Sequence, residues 1–401
     1  MSDKKNKSLK PGWRQVKFGD VVQLSKARSQ VPLADGIERY VGLEHLEPGD
    51  LRIRSWGSVA DGVTFTSVFK SGHVLFGKRR AYQRKVAVAD FSGVCSGDIY
   101  VLESKDPKVL LPELLPFICQ TDAFFAHAVG TSAGSLSPRT NWTSLADFGF
   151  ALPPMGEQLK IKQLMGAFEA TIEEWKAATF ALRKLRASLA ANSFTGSDDK
   201  ALVPCSELIS DGSLSLQTGP FGTVLKASAY KPEGIPIINP VNMKNGRLDI
   251  SEGPFIGVEN WQRLQRYWMQ TGDMVMGRKG DMSNLIYVSP EYNEFLVGSD
   301  CIRFRVQGDR IDRRYFFHFL RSEVTQNWIQ GQAYGTVMPG INEKILGRLK
   351  VHIPGIDEQR SIASEFDAIE ASLFDIQLRS ENTKLVKLAA LRGAFGGDSN
   401  V

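Results

Sequence analysis

The sequence predicts an α/β (mixed α+β) fold in two copies, separated by two long antiparallel coiled-coil helices, the whole forming a pseudo-two-fold internal repeat. Three observations predict it. First, GSLSPRTNW at 134–142 returns as GTVMPGINE at 335–343, so that Gly134, Pro138 and Asn141 recur as Gly335, Pro339 and Asn342. Second, the frame then holds without a gap: PPMGEQ at 153–158 returns as PGIDEQ at 354–359, and Ile161, Phe168, Glu169, Ala170 and Phe194 match Ile362, Ile369, Glu370, Ala371 and Phe395. Third, each P-x-x-x-E-Q is followed by a long proline-free run with apolar residues every three or four positions, which is the periodicity of a helical seam.

The elements upstream of these landmarks repeat with small shifts, as loops of unequal length produce. Tyr40-Val41-Gly42-Leu43 falls opposite Ile237-Ile238-Asn239-Pro240, with Gly49 and Leu51-Arg52-Ile53 opposite Gly246 and Leu248-Asp249-Ile250. SGHVLFGKRR at 71–80 answers to TGDMVMGRKG at 271–280. The first of these has the G-x-x-x-x-G-K spacing of a phosphate-binding loop, but Arg79 stands where the Mg²⁺-binding hydroxyl belongs and neither copy has K-[ST]. His73–Phe76 and Asp273–Met276 read instead as short strands, each ending in Gly and followed by two cations, Lys78-Arg79 and Arg278-Lys279. A second false lead, the G-x-S-x-G of residues 130–134, has Ala333 in place of the serine in its twin and lacks the strand-turn-helix context of a nucleophile elbow.

The helices start behind Pro153-Pro154 and Pro354, because a proline ends the preceding strand and restricts the residue before it. The first, from Glu157 to about residue 191, carries its seam on Ile161, Met165, Phe168, Ile172, Trp175, Leu182 and Leu189. The second, from 358 to about 394, continues the phase with Ile362, Phe366, Ile369, Leu373 and Ile376, then weakens at Ser380 and Thr383. Each helix is roughly 50 Å long at 1.5 Å per residue, more than a domain of this size needs for its own core, so the two seams are expected to meet. The polar stretch NSFTGSDDKALVP at 192–204 separates the copies. The expected boundaries are thus a domain at 1–152, a helical spacer at 153–195, a second domain at 196–353 and a second spacer at 354–397.

Composition narrows the function. The 401 residues are 42% hydrophobic and 10% aromatic, ordinary for a globular protein and too rich for disorder. No apolar run reaches the ~18 residues of a membrane span, and the basic start MSDKKNKSLKPGW has no apolar segment behind it, so a cytoplasmic protein is expected. Four scattered cysteines and five unclustered histidines give no metal-ligand spacing, and no metal site is expected. The formal net charge of +5 permits a polyanionic partner without requiring one.

RYVGLEHL at 39–46, GPFGTVLKASAY at 219–230, GIPIINPVNM at 234–243 and the two P-x-x-x-E-Q helix starts together resemble the specificity subunit of Type I restriction-modification systems. The resemblance covers nearly the whole chain and makes the two domains target recognition domains. It implies a non-catalytic subunit in which each recognition domain reads one half of a bipartite, interrupted sequence in double-stranded DNA while the helices set the gap. It further implies two methyltransferase subunits as partners, restriction subunits held through them, and no cofactor in this chain. S-adenosylmethionine, for adenine N6 methylation, with ATP and Mg for translocation and cleavage, belongs on this reading to the partners. In keeping with that, there is no [DN]-P-P-[YFW] tetrapeptide, since Asn239-Pro240-Val241-Asn242 has the wrong third and fourth residues, and no Walker loop.

Phosphate contacts position a protein and base-edge contacts specify the sequence. For DNA binding the first domain offers Lys78, Arg79, Arg80, Arg84 and Lys85, and the second Lys226, Arg278 and Lys279; Arg79, Arg80 or Arg278 also suit bidentate contact to guanine. The turns around Arg139-Thr140-Asn141 and Gly340–Asn342 are candidates because Asn suits adenine, against the plainer reading that such an Asn caps a helix. Tyr82 and Tyr230 suit stacking on a base or core packing, and Trp142 and Trp175 are assigned to structure. Alternative readings are a specificity subunit of a methylation-only or other phage-defence complex and, in another class, a coiled-coil scaffold for protein partners. The scaffold predicts no salt-dependent DNA affinity.

Overall fold

In the computed structural model residues 9–195, 202–244, 246–251, 253–333 and 340–395 are described, and the chain divides into two compact units, 1–176 with 377–401, and 177–376. Each long helix gives its first part to one unit and its remainder to the other.

In the first unit, β1 (Arg14–Lys17) and α1 (Phe18–Val21) lead into β2 (Val22–Leu24), β3 (Arg39–Val41), β4 (Gly57–Ser58) and β5 (Ser67–Phe69). Then come β6 (Val74–Gly77), β7 (Val86–Val88), β8 (Gly93–Cys95) and β9 (Ile99–Ser104). Three short helices follow, α2 (Leu115–Cys119), α3 (Asp122–Gly130) and α4 (Trp142–Ala146), and β10 (Gly149–Leu152) ends the domain before α5 (Met155–Phe194). The strands form two four-stranded sheets, β2-β9-β6-β7 and β4-β3-β8-β5, and β10 returns to pair with β1. β6 is buried on both faces, since Phe76 packs on Phe124 and Phe125 of α3 while Leu75 faces the second core with Val41 and Phe69.

The second unit repeats this plan. β11 (Leu202–Pro204), α6 (Cys205–Ser210), β12 (Leu214–Thr218), β13 (Tyr230–Lys231) and β14 (Ile235–Ile238) come first, then a small hairpin, β15 (Met243–Lys244) and β16 (Arg247–Leu248). β17 (Phe255–Ile256), α7 (Val258–Arg263), β18 (Met274–Gly277), β19 (Leu285–Tyr287), β20 (Leu296–Val297) and β21 (Cys301–Val306) follow. The unit ends with α8 (Arg313–Arg321), α9 (Glu323–Gln332), α10 (Glu343–Leu346), β22 (Lys350–His352) and α11 (Ile356–Phe395). Its sheet β12-β21-β18-β19 matches β2-β9-β6-β7, and in the other sheet β17-β14-β20 matches β4-β3-β8, including the parallel strand pair, β14 with β20 as β3 with β8, while β13 is an added edge strand on β17. The strand equivalent to β5 shrinks to one bridge, Trp268 to Leu296.

The two recurrent Gln residues of the P-x-x-x-E-Q segments explain why that motif recurs. Gln158 is 1% exposed; it accepts from the Leu111 N–H at 2.9 Å and donates to the carbonyls of Val109 (2.8 Å) and Pro153 (3.0 Å). Gln359 is 0% exposed; it accepts from the Asp312 N–H at 2.9 Å and donates to the carbonyls of Arg310 (3.1 Å) and Pro354 (2.8 Å). A buried amide whose partners are three backbone groups fixes where the helix leaves its domain.

Within each unit the two helix segments run antiparallel. In the first, Glu169 pairs with Lys387, and further along α5 Trp175 lies under Arg379, earlier on α11. In the second, Arg186 reaches Glu370 at 2.8 Å and Phe194 stacks on Phe366. The last turn of each helix enters a core: Leu391 and Phe395 join that of the first unit with Met165, Ala190 and Phe194 that of the second with Tyr315.

Candidate nucleic-acid interface

The basic turn after β6 and the loop before α4 are distant in sequence and adjacent in space. Arg79 and Arg139 form an antiparallel bridge, the Arg80 N–H donates to the Pro138 carbonyl at 2.7 Å, and the Thr140 N–H donates to the Lys78 carbonyl at 3.0 Å. Asp98, in the turn before β9, clasps both arginines: Arg139 Nε donates to Oδ1 at 2.7 Å and Arg79 Nη1 to Oδ2 at 3.2 Å. Arg79 also donates to Ser137 Oγ at 3.0 Å. Burial raises the Asp98 pKa, but the hydrogen bonds from Arg139 and Arg79 outweigh it and hold the carboxyl below its ordinary value. The clasp orients the two guanidiniums while leaving them 37% and 51% exposed. Two cations on one carboxylate leave a net positive tip, and Lys78 adds to it, with Nζ 4.7 Å from the Tyr100 ring centre.

The second unit builds the same tip from different side chains. Lys279 bridges Gly340, the Ile341 N–H donates to the Arg278 carbonyl at 2.9 Å, and Asp300 stands in the place of Asp98. Lys279 pairs with Asp300 at 2.8 Å, while Arg278 Nε donates to the Ser299 carbonyl at 2.9 Å. The structure therefore brings Lys78, Arg79, Arg80 and Arg139 together in one unit, and Arg278, Lys279 and the backbone at Gly340 together in the other.

This duplicated arrangement has relatives. The family model described as the Type I restriction modification DNA specificity domain matches twice, over residues 11–179 and 222–385. The chain belongs to this family. It is a DNA specificity subunit of a Type I restriction-modification system, with two target recognition domains, and is a non-catalytic component. It is 19% identical over 406 aligned positions to the Type I restriction enzyme MjaVIII specificity subunit of Methanocaldococcus jannaschii, covering 94% of this chain and 89% of that one. Among solved structures it is similar to a chain from work on complex assembly and conformational transition of the type I R-M system (TM-score 0.61, 19% identity, 98% of this chain and 99% of that). It is also similar to the Type I restriction-modification S subunit of M. genitalium (TM-score 0.59, 14% identity, 99% of both chains).

Other candidate residues of the specificity subunit lie apart from the tips or are occupied within the fold. Arg84 pairs with Asp122 at 2.7 Å, donates to the Gln120 carbonyl at 3.2 Å and covers the Phe125 ring, so it ties the turn to α3. Lys85 donates to the Leu43 carbonyl at 2.7 Å. Asn141 and Asn342 cap α4 and α10, accepting from the N–H of Ser144 (2.8 Å) and Ile345 (2.9 Å), which is the plainer reading considered for them. Lys226 is exposed beside Thr223 and Arg263, in the segment before β13. Tyr82 and Tyr230 are exposed, 56% and 40%, so neither packs in a core. Trp142 packs against Phe18 and Tyr100, as assigned to it. Of the repeated landmarks, Gly335 and Pro339 lie outside the described residues.

Sequence reasoning missed the two aspartates. Their signal was present in Ser96-Gly97-Asp98 and Gly298-Ser299-Asp300, polar turns one repeat apart, but an acidic residue was not sought in a site expected to be basic. The earlier false leads also resolve. Gly130 ends α3, so no strand precedes that G-x-S-x-G, and residues 74–77 form the strand β6. All four cysteines are buried, and burial pushes the Cys95 and Cys205 thiols up to about 12. Among the described residues there is no cluster able to hold a metal ion, and no helix long and apolar enough to cross a membrane.

Proposed function

We propose that each recognition domain reads one half of a bipartite, interrupted target in double-stranded DNA through the tip that follows its β6 or β18 strand. The recurrence of that tip, with an aspartate pairing a tip cation in each copy, carries the reading, because a repeated cationic surface suits a polyanion with two separated half-sites. Lys78, Arg79, Arg80 and Arg139 in the first domain, and Arg278, Lys279 and Lys226 in the second, are the DNA-contacting set. Arg84, Lys85, Asn141 and Asn342 brace the turns from behind. Different residues at the tips, Arg80 and Arg139 against Gly280 and Gly340, give the half-sites different sequences.

The remaining parts of the reading concern partners. Two methyltransferase subunits dock on the specificity subunit, restriction subunits join through them, and the helices set the gap between half-sites. S-adenosylmethionine for adenine N6 methylation, and ATP and Mg for translocation, are bound by those partners, and the complex works in the cytoplasm. Expression with the neighbouring methyltransferase gene in a methylation-free host, followed by single-molecule mapping of modified adenines, tests this. One interrupted two-part motif is the expected result. An assembled complex that leaves the genome unmodified would overturn it in favour of a scaffold. Exchanging residues 1–152 for another family member's domain should then change one half-site and leave the other.

A further inference from the structure

Each tip has a neighbour that its cations do not explain. β3 and β8 run parallel, so both end at the same edge of their sheet, where β8 passes into Ser96-Gly97-Asp98 and β3 into a tight helical turn, Leu43–His45. That turn is tied to the tip on two sides. Ser96 donates its N–H to the Val41 carbonyl at 3.0 Å, and Lys85, at the end of the basic turn, donates to the Leu43 carbonyl at 2.7 Å. In the second domain the parallel pair β14 and β20 repeats the arrangement, with the Gly298 N–H donating to the Ile238 carbonyl at 2.8 Å. The turn there, Pro240–Asn242, lies against Gly277, where a Cβ would meet Pro240 Cγ at 3.3 Å.

Both turns are closed in the same way. His45 Nδ1 accepts from the Gly42 N–H at 2.9 Å, and Asn242 Oδ1 accepts from the Asn239 N–H at 3.0 Å. What the closed turn holds outward differs: its middle residue is Glu44 in one domain, 67% exposed, and Val241 in the other, 71% exposed. The surroundings are fitted to each. Gly42 leaves room for the Glu44 carboxylate, which a Cβ at that position would overlap, whereas Asn239 stands there in the second domain and Gly298 makes room for its amide. The ion-pair neighbour of Glu44 is His45, with Nδ1 at 4.0 Å, but that nitrogen already accepts from Gly42 and has no proton to offer. A carboxylate beside a phosphate-binding surface is repelled by the backbone and gains only from a donor, and among base edges Glu suits the N4 amino group of cytosine. A valine offers no hydrogen bond and suits the methyl group of thymine.

We propose that Glu44 and Val241 are specificity-determining residues of the two domains. Glu44 accepts from the amino group of a cytosine in one half-site, and Val241 packs on the methyl group of a thymine in the other. This rests on the reading of the tips given above. The test uses the full chain with its methyltransferase subunit, and synthetic duplexes carrying the mapped two-part target. Glu44→Ala should lower the preference for one cytosine in the first half-site at least about fivefold and leave the second half-site unchanged. Glu44→Gln, which can both donate and accept, should move that position toward adenine. Replacing one thymine of the second half-site by uracil, which lacks only the methyl group, should weaken wild type about fourfold and leave Val241→Ser indifferent. Thermal unfolding of these variants should match wild type, since both side chains are exposed. A Glu44→Ala complex that binds every sequence more tightly with its preferences unchanged would overturn the role of Glu44, whose carboxylate would then only repel phosphate. A second half-site in which no thymine responds to loss of its methyl group would overturn that of Val241. The double variant Arg79→Ala, Arg139→Ala separates the two levels. If it loses no DNA affinity, the reading of the tips fails; if it does while Glu44→Ala keeps the wild-type preference, only the assignment of Glu44 fails.

Discussion

Arg80 and Arg84 stand in the left-handed region, at φ 53° and 56°, on either side of the turn that exposes Tyr82. A side chain there costs about 1 kcal/mol relative to glycine, and the second domain avoids the cost by placing Gly280, φ 67°, opposite Arg80. A strained arginine where glycine suffices points to a use for its side chain. Arg80→Gly should therefore leave the stability of the first domain unchanged or raise it by up to about 1 kcal/mol, while DNA binding weakens. Loss of discrimination at one base pair would mark Arg80 as a base reader, and uniform weakening with a shallower salt dependence would mark a phosphate contact; unchanged binding removes it from the interface. His318 is a different case. Its imidazole is fully buried against Phe366, with Nε2 2.7 Å from Asp367 Oδ1. Burial pushes its pKa down to about 4, with Arg314 and Arg321 adding to the effect, and Asp367, whose carboxyl already takes Arg314, does not restore it. Below its unfolded value near 6.5 the unfolded chain takes up a proton that the native state refuses. The second unit should thus lose on the order of 1–3 kcal/mol as pH falls from about 6.5 to 4. Urea unfolding of wild type and His318→Gln at pH 7 and pH 5 checks this; equal pH slopes in the two proteins would assign the loss elsewhere.

At the scale of elements, the helices were the most legible part of the sequence. Seams read from spacing alone, Met165 and Ile172 in one helix and Ile362, Phe366 and Ile369 in the other, are buried. The stretch that looked weak, around Ser380 and Thr383, leads into Lys387, whose ammonium is buried because Glu169 and Gln120 satisfy it. An apolar-periodicity reading cannot see a polar seam position whose partner lies on another element. The Asp98 clasp escaped for the same reason, since its arginines, Arg79 and Arg139, come from segments far apart in the chain. The recurrent Gln was seen and its partners were not. Gln158→Ala should strand a buried N–H and cost about 1–3 kcal/mol, felt in the first unit, and Gln359→Ala should do the same in the second. The terminal phenylalanines predict the opposite pattern: Phe194→Ala, on the helix that follows the first domain, should destabilise the second unit by about 3–5 kcal/mol, and Phe395→Ala the first. Hydrogen exchange resolved by peptide reports which unit opens in each variant, and a Phe194→Ala effect confined to the first unit would contradict the packing.

For the whole molecule, two 40-residue helices are each shared between the units, and on the proposed reading of a split target their length sets the gap between half-sites. A recognition domain that stood free on a flexible tether would tolerate many gaps between half-sites. Here Gln158 and Gln359 fix the start of each helix to its own domain, and the far ends are buried in a core. Four residues added to the middle of both helices lengthen each by about 6 Å, close to two base pairs at ~3.4 Å per pair. The insertion also turns the far end by about 40°, since four residues exceed one turn of 3.6, so some affinity should be lost even at the new optimum. Methylation mapping of such a variant should return the same two half-sites with a gap longer by one or two base pairs. Insertion into one helix alone breaks the antiparallel match of charges, displacing Lys387 from Glu169 or Arg186 from Glu370, and should weaken modification at every gap. If the double insertion keeps the original gap, the spacing is set by the partner subunits, and the helices serve only to hold the domains together.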